Sequence, residues 1–167
     1  AAAGVKVAKH GNRAVTSSCG SADVLEALGV QIAGDAAEAS RQLKATGLCF
    51  LFAPYYHPGM KHVGAVRRAL GVRSVFNMLG PMVNPARAKR QLIGVYDTLL
   101  MAPMAEALES LGSTGMIVCG MDGLDEVSPT HPTYVISVDR SKESFTRVTP
   151  DTFGIKCSVN LTPGETI

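Results

Sequence analysis

Residues 4–29, GVKVAKHGNRAVTSSCGSADVLEALG, contain a short strand, a polar loop and a helix in that order, and this pattern decides the fold. Val5-Lys6-Val7-Ala8 is a strand candidate bounded by glycine. A Gly- and Ser-rich loop follows it. A helix then opens at Ser21 or Ala22 and stops at Gly29.

The same alternation continues along the chain. Asp35 is the predicted N-cap of a second helix, which Gly47 ends. Residues 72–90 are rich in Gly, Pro and Asn and predict a long loop with little secondary structure. The further predicted elements are a buried strand at 48–53, a helix after Pro58, a strand at 91–96, a helix at 100–111, a buried strand at 115–120, and a hairpin of 133–138 with 144–148 that turns at 140–142. Strands that alternate with helices predict an α/β sheet with parallel members, and ligands beyond the carboxyl ends of its strands.

Composition favours one domain of ordinary size. The chain has 167 residues, of which 46% are hydrophobic and 18% charged, so it can bury a core and is unlike a disordered segment. The net charge of +2 and the absence of a basic tract argue against non-specific nucleic-acid binding. A small anionic substrate needs only a local positive pocket.

Four cysteines, Cys19, Cys49, Cys119 and Cys157, are spaced too widely for a zinc motif. They indicate free thiols in a reducing compartment. No apolar run reaches the length of a membrane span, and no signal peptide is visible. We therefore expect a cytoplasmic protein without a membrane partner. The chain begins without Met, and a plastid location is the alternative if a preceding segment carries a transit peptide.

Residues 9–21 contain the parts of a phosphate-binding loop. Lys9 and Arg13 supply positive charge, and Gly11 allows a close approach of backbone to ligand. A helix that begins near Ser21 would add free N–H groups aimed at an anion. Hydroxyl donors come from Thr16, Ser17, Ser18 and Ser21. A polar surface loop that caps a helix would have the same composition, so both interpretations stay open.

Asp122-Gly123-Leu124-Asp125-Glu126 follows directly after a predicted buried strand. Adjacent carboxylates at a strand's carboxyl end suit Mg²⁺, which keeps waters and shares substrate phosphates. A solvated acidic turn is the alternative.

The segment after Pro58 and the loop beyond it offer weaker signals. Arg67 on a helix could clamp a carboxylate with two parallel hydrogen bonds, or be solvated. His57 and His62 are more typical of packing or capping than of ligands. The turn-rich loop from Phe76 to Pro85 could line a pocket or pack between strands.

Together these segments resemble the anthranilate phosphoribosyltransferase family. The matching stretches are KHGNR at 9–13, GSADVLEALG at 20–29, HPGMKHVGAVRRALGVRSVFNMLGP at 57–81, NP at 84–85 and DGLDE at 122–126. The resemblance implies an α/β fold with a mixed, mainly parallel sheet flanked by helices, as in the C-terminal domain of nucleoside phosphorylases and these phosphoribosyltransferases. Residues 1–167 would be a single incomplete domain, with the family's helical N-terminal domain and the C-terminal end missing.

The resemblance also implies a reaction of tryptophan biosynthesis, in which the amine of anthranilate displaces pyrophosphate from phosphoribosyl pyrophosphate. Asn12, His10 and Arg67 would contact anthranilate, and Asp125 and Glu126 would hold Mg²⁺. The residues that would contact phosphoribosyl pyrophosphate are Lys9, His10, Gly11, Asn12, Arg13, Ala14, Val15, Thr16, Ser17 and Ser21. Bond breaking at an anomeric carbon needs no covalent nucleophile from the protein. No residue is assigned as a general acid or base, because the sequence does not identify the group that takes the amine proton.

The resemblance leaves three further expectations. The family's other substrate loops precede this segment, so residues 1–167 alone are expected to be inactive. A homodimer is expected for the complete chain, since the family dimerises through its helical domain. The alternatives are a pyrimidine nucleoside phosphorylase, which would carry a different phosphate loop, and a non-catalytic nucleic-acid-binding relative, which would need a basic groove.

Overall fold

A computed structural model of the chain describes residues 1–13, 20–70, 75–139 and 142–156. The chain divides into two compact units, Ala1–Arg87 and Ala88–Glu165, here called the N-terminal and C-terminal units. Both units alternate strands with helices, which confirms the predicted α/β class. None of the helices in the described ranges combines the length and apolar character needed to cross a membrane.

The N-terminal unit is built on two parallel strands. β1 (Val7–Gly11) pairs with β2 (Leu48–Phe52) so that Gly11 lies opposite Phe52. A short 3₁₀ helix, Pro58–Met60, leads into the fourth helix. The α-helices of this unit are α1 (Ser21–Ala27), α2 (Ala36–Thr46), α3 (Ala53–Tyr56), α4 (Lys61–Leu70) and α5 (Val75–Met82).

The apolar run of β2 is explained by burial on both faces of this sheet. Cys49 and Leu51 pack with Ala33 and Ala39 on the face that α2 covers. On the other face, Phe50 and Phe52 pack with Ala22 of α1. A parallel strand buried on both sides has no need of polar alternation, so the predicted buried strand is confirmed.

The ends of α2 are confirmed as local sequence rules predict. The Glu38 N–H donates to Asp35 Oδ1 at 2.8 Å, which caps the first turn. Gly47 adopts φ 78° after the last turn, in the left-handed region that glycine tolerates.

Two predictions in this unit are corrected. β1 is shifted toward Gly11, because its pairing partner is the whole of β2 and the ladder continues through Lys9 and His10. The long loop predicted for 72–90 is wrong over Val75–Met82, which is helix α5. The breakers Gly80 and Pro81 lie in its last turn, where they end the helix without preventing it. Residues 71–74 lie outside the described part of the chain.

The C-terminal unit contains a mixed four-stranded sheet in the order β3-β4-β5-β6. β3 pairs with β4 in parallel, and the β4–β5 and β5–β6 pairings are antiparallel. The mixed sheet and the hairpin are thus confirmed, while residues 140–141 of the hairpin turn lie outside the described residues. Its elements are β3 (Arg90–Gly94), α6 (Met101–Ser110), β4 (Thr114–Gly120), β5 (Thr133–Asp139) and β6 (Lys142–Val148), with 3₁₀ helices at Thr98–Leu100 and Pro150–Phe153.

The core of this unit lies between α6 and the sheet. Met104 and Leu108 on one face of α6 are buried, as are Ile117 and Val118 of β4. Cys119 is a buried free thiol, as is Cys49 in the N-terminal unit, and burial raises the pKa of each. These two cysteines therefore serve as small apolar core residues.

Candidate substrate and metal sites

The first part of the predicted phosphate site lies at the carboxyl end of β1. Because Gly11 pairs with Phe52, the chain leaves both parallel strands at one edge. α1 returns to this edge, where the Ala22 N–H donates to the Asn12 carbonyl at 3.4 Å. Ser21 thus comes beside Gly11 and Asn12. Ala14, Val15, Thr16 and Ser17 lie outside the described residues.

Packing against Phe50 explains why glycine occupies position 11, and the sequence alone did not reveal this. A Cβ at this position would stand 3.0 Å from Cζ of the Phe50 ring. The sheet face at Gly11 is therefore occupied by an aromatic ring, and a side chain there would push the ring away.

The N-terminus of α1 differs from the expected free anion cradle. The Gly20 N–H donates to the Asp23 carboxylate at 2.9 Å. The Ala22 N–H is already engaged by the Asn12 carbonyl. Asp23 also places a negative charge in the first turn, where it offsets the helix dipole. Among the described residues, the attraction for an anion at this edge therefore comes mainly from side chains.

The Arg13 guanidinium is held by an acidic face of α1. Glu26 accepts hydrogen bonds from Nη2 at 2.8 and 3.1 Å and from Nε at 3.2 Å. Asp23 Oδ1 lies 3.9 Å from Nε, and the Phe52 ring centroid lies 5.1 Å from the guanidinium carbon. The hydrogen bond to Glu26 and its charge raise the pKa of Arg13. An open cavity of about 350 Å³ adjoins this cluster, with Val30, Ile32 and Tyr55 in its lining.

Sequence reasoning missed Glu26 and Phe52 as partners of Arg13. Asp23 and Glu26 are three residues apart and share one helix face, which signals an acidic stripe. No local signal says which cation faces that stripe. Lys9 is exposed near the end of β1, and Asn12 is exposed with its Oδ1 accepting the Arg13 N–H at 2.8 Å.

His10 is fixed by two contacts from distant segments. Its Nε2 lies 3.2 Å from Nε2 of His57, and the two rings meet edge to face with centroids 5.0 Å apart. His10 also donates to the carbonyl of Gly80, one of the last four carbonyls of α5, which have no partner within the helix. The sequence-based interpretation of His57 as a packing residue is thus refined, because its polar atom contacts His10.

These contacts predict a pH dependence of stability. Burial lowers the pKa of His10 below 6.5, and the neighbouring His57 lowers it further, against the Gly80 carbonyl, which raises it. The unfolded chain therefore binds the proton more readily than the folded chain. Above pH 6.5, His10 is neutral in both states and does not reduce the free energy of unfolding. As pH falls below 6.5, the unfolded chain takes up the proton first, and the free energy of unfolding declines.

The measurement is urea unfolding about one pH unit above and below that value. We expect His10→Asn to reduce the difference between the two pH values, and His62→Asn, at an exposed position, to leave it as in wild type. An equal pH difference in wild type and His10→Asn would contradict the assignment.

Two other predicted site residues have distinct outcomes. Asn84 Nδ2 donates to the Ala8 carbonyl at 3.1 Å, and Asn84 Oδ1 accepts the Ala86 N–H at 3.0 Å. Asn84 thus ties the segment after α5 to the edge of β1, which favours the packing role over the pocket role. Arg67 lies in α4, and its side chain is outside the described part of the chain.

The acidic segment of the C-terminal unit follows β4 as predicted. The side chains of Asp125 and Glu126 are exposed. The backbone of Asp125 crosses β3 so closely that a Cβ on Gly94 would stand 1.5 Å from the Asp125 carbonyl oxygen. β3 therefore limits where this part of the segment can lie.

Asp122 differs from the other two acids because its side chain is only 6% exposed. Ser128 Oγ donates to Asp122 Oδ2 at 2.6 Å, and the Leu124 N–H donates to Oδ1 at 3.3 Å. Burial is the largest influence on the pKa of Asp122 and raises it, but these hydrogen bonds, with its own N–H and the charge of His131, together lower that pKa. Asp122 is therefore a carboxylate at neutral pH.

The exposed pair fits Mg²⁺ in one binding mode. Among the described residues, no three His, Cys, Asp or Glu side chains come together as a metal cage. Two adjacent exposed carboxylates instead suit an ion that keeps its waters and shares substrate phosphates. The donor set of Asp125 and Glu126 fits that mode.

Comparison with known proteins agrees with this architecture. The model of the glycosyl transferase family, a/b domain, matches residues 1–162. The anthranilate phosphoribosyltransferase of Persephonella marina is 55% identical over 157 residues, covering 93% of this chain and 46% of that protein. The enzyme of the same name from Endomicrobium trichonymphae is 49% identical over 168 residues, covering 99% of this chain and 50% of that protein.

Solved structures give the same picture. The crystal structure of anthranilate phosphoribosyltransferase from Thermus thermophilus aligns with a TM-score of 0.84 at 46% identity, over 95% of this chain and 47% of that one. The Saccharomyces cerevisiae enzyme in complex with PRPP and Mg aligns with a TM-score of 0.77 at 35% identity, over 89% of this chain and 41% of that one. The chain spans about half the length of the curated relatives it matches. On this match of fold and sequence, the chain belongs to the glycosyl transferase family and carries its α/β domain.

Proposed function

We propose that the protein containing this chain is an anthranilate phosphoribosyltransferase. It would transfer the phosphoribosyl group of phosphoribosyl pyrophosphate to the amine of anthranilate and release pyrophosphate. The observation that carries the proposal is the set of Lys9, His10, Asn12 and Arg13 at the carboxyl edge of β1 and β2. Curated relatives of that name support it, with 55% and 49% sequence identity to this chain.

The residues of the N-terminal unit would bind and orient the substrates. Lys9 and Arg13 would attract the pyrophosphate oxygens, with Glu26 and Phe52 holding the guanidinium in place. His10, fixed by His57 and Gly80, would present a rigid wall to anthranilate, as would Asn12. A rate gain would then come from holding the amine and the anomeric carbon in line rather than from a covalent nucleophile.

In the C-terminal unit, Asp125 and Glu126 would hold Mg²⁺. When bound, the ion would neutralise the growing negative charge on departing pyrophosphate oxygens. Both carboxylates are exposed and therefore accessible to the ion. A homodimer, and the absence of a nucleic-acid partner, belong to the same proposal.

The direct test is anthranilate consumption by the protein at its full natural length, with phosphoribosyl pyrophosphate and Mg²⁺. We expect turnover that depends on all three components. If the protein consumes no anthranilate and instead binds DNA in a salt-dependent manner, the result would contradict the proposal and support the nucleic-acid-binding alternative. Phosphorolysis of pyrimidine nucleosides would replace it with the other alternative.

Replacing Arg67 with Ala tests the anthranilate side. A charged hydrogen-bonded pair is worth about 1.5–3 kcal/mol, so we expect KM for anthranilate to rise about 10- to 100-fold. KM for phosphoribosyl pyrophosphate should change little. Steady-state kinetics with each substrate varied in turn is the measurement. Arg41→Ala is the control, since Arg41 pairs with Glu38 on the surface of α2. Equal increases in both KM values would count against the carboxylate role.

A further inference from the structure

Ser128 is the centre of a hydrogen-bond network that closes the segment between β4 and β5. Its Oγ accepts the N–H of Thr130 at 3.2 Å and the N–H of His131 at 2.9 Å. A hydroxyl has two acceptor lone pairs and one proton. Both lone pairs are therefore used, and the proton goes to Asp122 Oδ2, the shortest contact at 2.6 Å.

Asp122 must accept on both of its oxygens. Oδ2 receives the Ser128 hydroxyl and Oδ1 receives the Leu124 N–H at 3.3 Å. An amide has only one acceptor oxygen. If Asn replaced Asp122, its NH₂ group would face either the Ser128 hydroxyl or the Leu124 N–H, whichever way the amide is turned, and two donors would then face each other. The network therefore requires a carboxylate.

The network anchors the exposed acids from both sides. Asp122 joins the start of the segment to Ser128, and the Ser128 N–H donates to Thr133 Oγ1 at the start of β5 at 2.9 Å. Between these anchors the Asp125 backbone lies against Gly94. Asp125 and Glu126 thus occupy the middle of a segment held at three places.

We propose that Asp122 is a positioning residue for the divalent cation: through Ser128 and Leu124, it holds Asp125 and Glu126 where they bind the ion. The inference rests on the proposed function for the identity of the ion. Asp122 lies behind the ion's ligands rather than among them, because its side chain is only 6% exposed and its two oxygens already accept hydrogen bonds from Leu124 and Ser128. It thus acts as the outer partners of metal ligands do, by orienting the groups that touch the metal.

The test measures Mn²⁺ affinity by electron paramagnetic resonance, with and without pyrophosphate, in the full-length protein. Mn²⁺ is a spectroscopic substitute for Mg²⁺ with the same preference for oxygen ligands. We expect Asp122→Asn to weaken Mn²⁺ binding about tenfold or more. The control is Asp151→Asn, which removes an exposed carboxylate of the same unit and should leave the affinity unchanged.

Ser128→Ala gives a second approach that keeps Asp122 in place. We expect it to weaken Mn²⁺ binding as well, and the double variant to be no weaker than the worse single variant, because both changes break one network. A Mn²⁺ affinity within about twofold of wild type in both folded single variants would overturn the proposal, even if their thermal stability fell. If Asp122→Asn does not fold, Ser128→Ala alone decides it.

The outcome separates this inference from the proposed function. A wild-type protein that binds Mn²⁺ but consumes no anthranilate contradicts the function, and the affinities of the variants still decide the role of Asp122. A wild-type protein that binds no Mn²⁺, with pyrophosphate present, overturns the role of Asp122 whatever its turnover.

Discussion

Replacing Gly94 with Ala is expected to destabilise the C-terminal unit by on the order of 4–5 kcal/mol or more, the range of exceptional single substitutions. An added Cβ would stand 1.5 Å from the Asp125 carbonyl oxygen and 2.4 Å from its carbonyl carbon. These are backbone atoms, which cannot rotate away as the end of a side chain can. The segment is also anchored at Asp122, so relief of the overlap must break either the network or the strand.

Urea unfolding of wild type and Gly94→Ala is the measurement, with Mn²⁺ binding as a second readout. Gly34→Ala is the matched control, because a Cβ at Gly34 meets open space. If the sheet keeps its place, the acidic segment must move and Mn²⁺ binding should be lost. Wild-type stability together with wild-type Mn²⁺ affinity would show that the close crossing of β3 by Asp125 is wrong.

The double replacement Asp125→Asn with Glu126→Gln is expected to lower turnover at limiting Mg²⁺ about 100-fold and to raise the Mg²⁺ concentration for half-maximal rate. The amides keep the shape and oxygen atoms of both side chains but remove their charge. Stability should change by less than about 0.5 kcal/mol, as is usual for exposed positions, since both side chains are exposed.

Rates measured over a Mg²⁺ titration, together with urea unfolding of the same proteins, separate the two effects. Asp139→Asn is the control for loss of an exposed carboxylate in this unit. An unchanged Mg²⁺ dependence in the double variant would contradict the assignment of Asp125 and Glu126 as Mg²⁺ ligands. A large loss of stability would mean that these carboxylates hold the segment rather than the ion.

Local rules predicted the elements whose causes lie within a few residues. Asp35 and Gly47 delimit α2, because a cap acts on the turn beside it. The apolar run of β2 predicted a strand buried on both faces, which it is. The hairpin of β5 and β6 also followed from the alternating pattern of its residues. α5 was missed because the loop prediction for 72–90 counted its Gly, Pro and Asn residues without considering where they lie. Gly80 and Pro81 lie in the last turn of α5, where they are compatible with a helix.

The candidate site divides in the same way. The residue types in 9–13 and 122–126 predicted the chemistry of an anion site and a metal site before any fold was known. Their partners could not be predicted, because each lies far away in the chain: Glu26 and Phe52 at Arg13, and His57 and Gly80 at His10.

The sequence by itself determined the order of the elements and which residues carry charge and hydroxyl groups, since these depend on local backbone preference and side-chain chemistry. Only the tertiary structure decided that the side chain of Asp122 is buried while Asp125 and Glu126 are exposed, although the three acids lie within five residues. It also decided that Gly94 is the position over which Asp125 must pass. The physical reason is that burial and close approach depend on which distant segments share the same space, and no spacing along the chain encodes that directly.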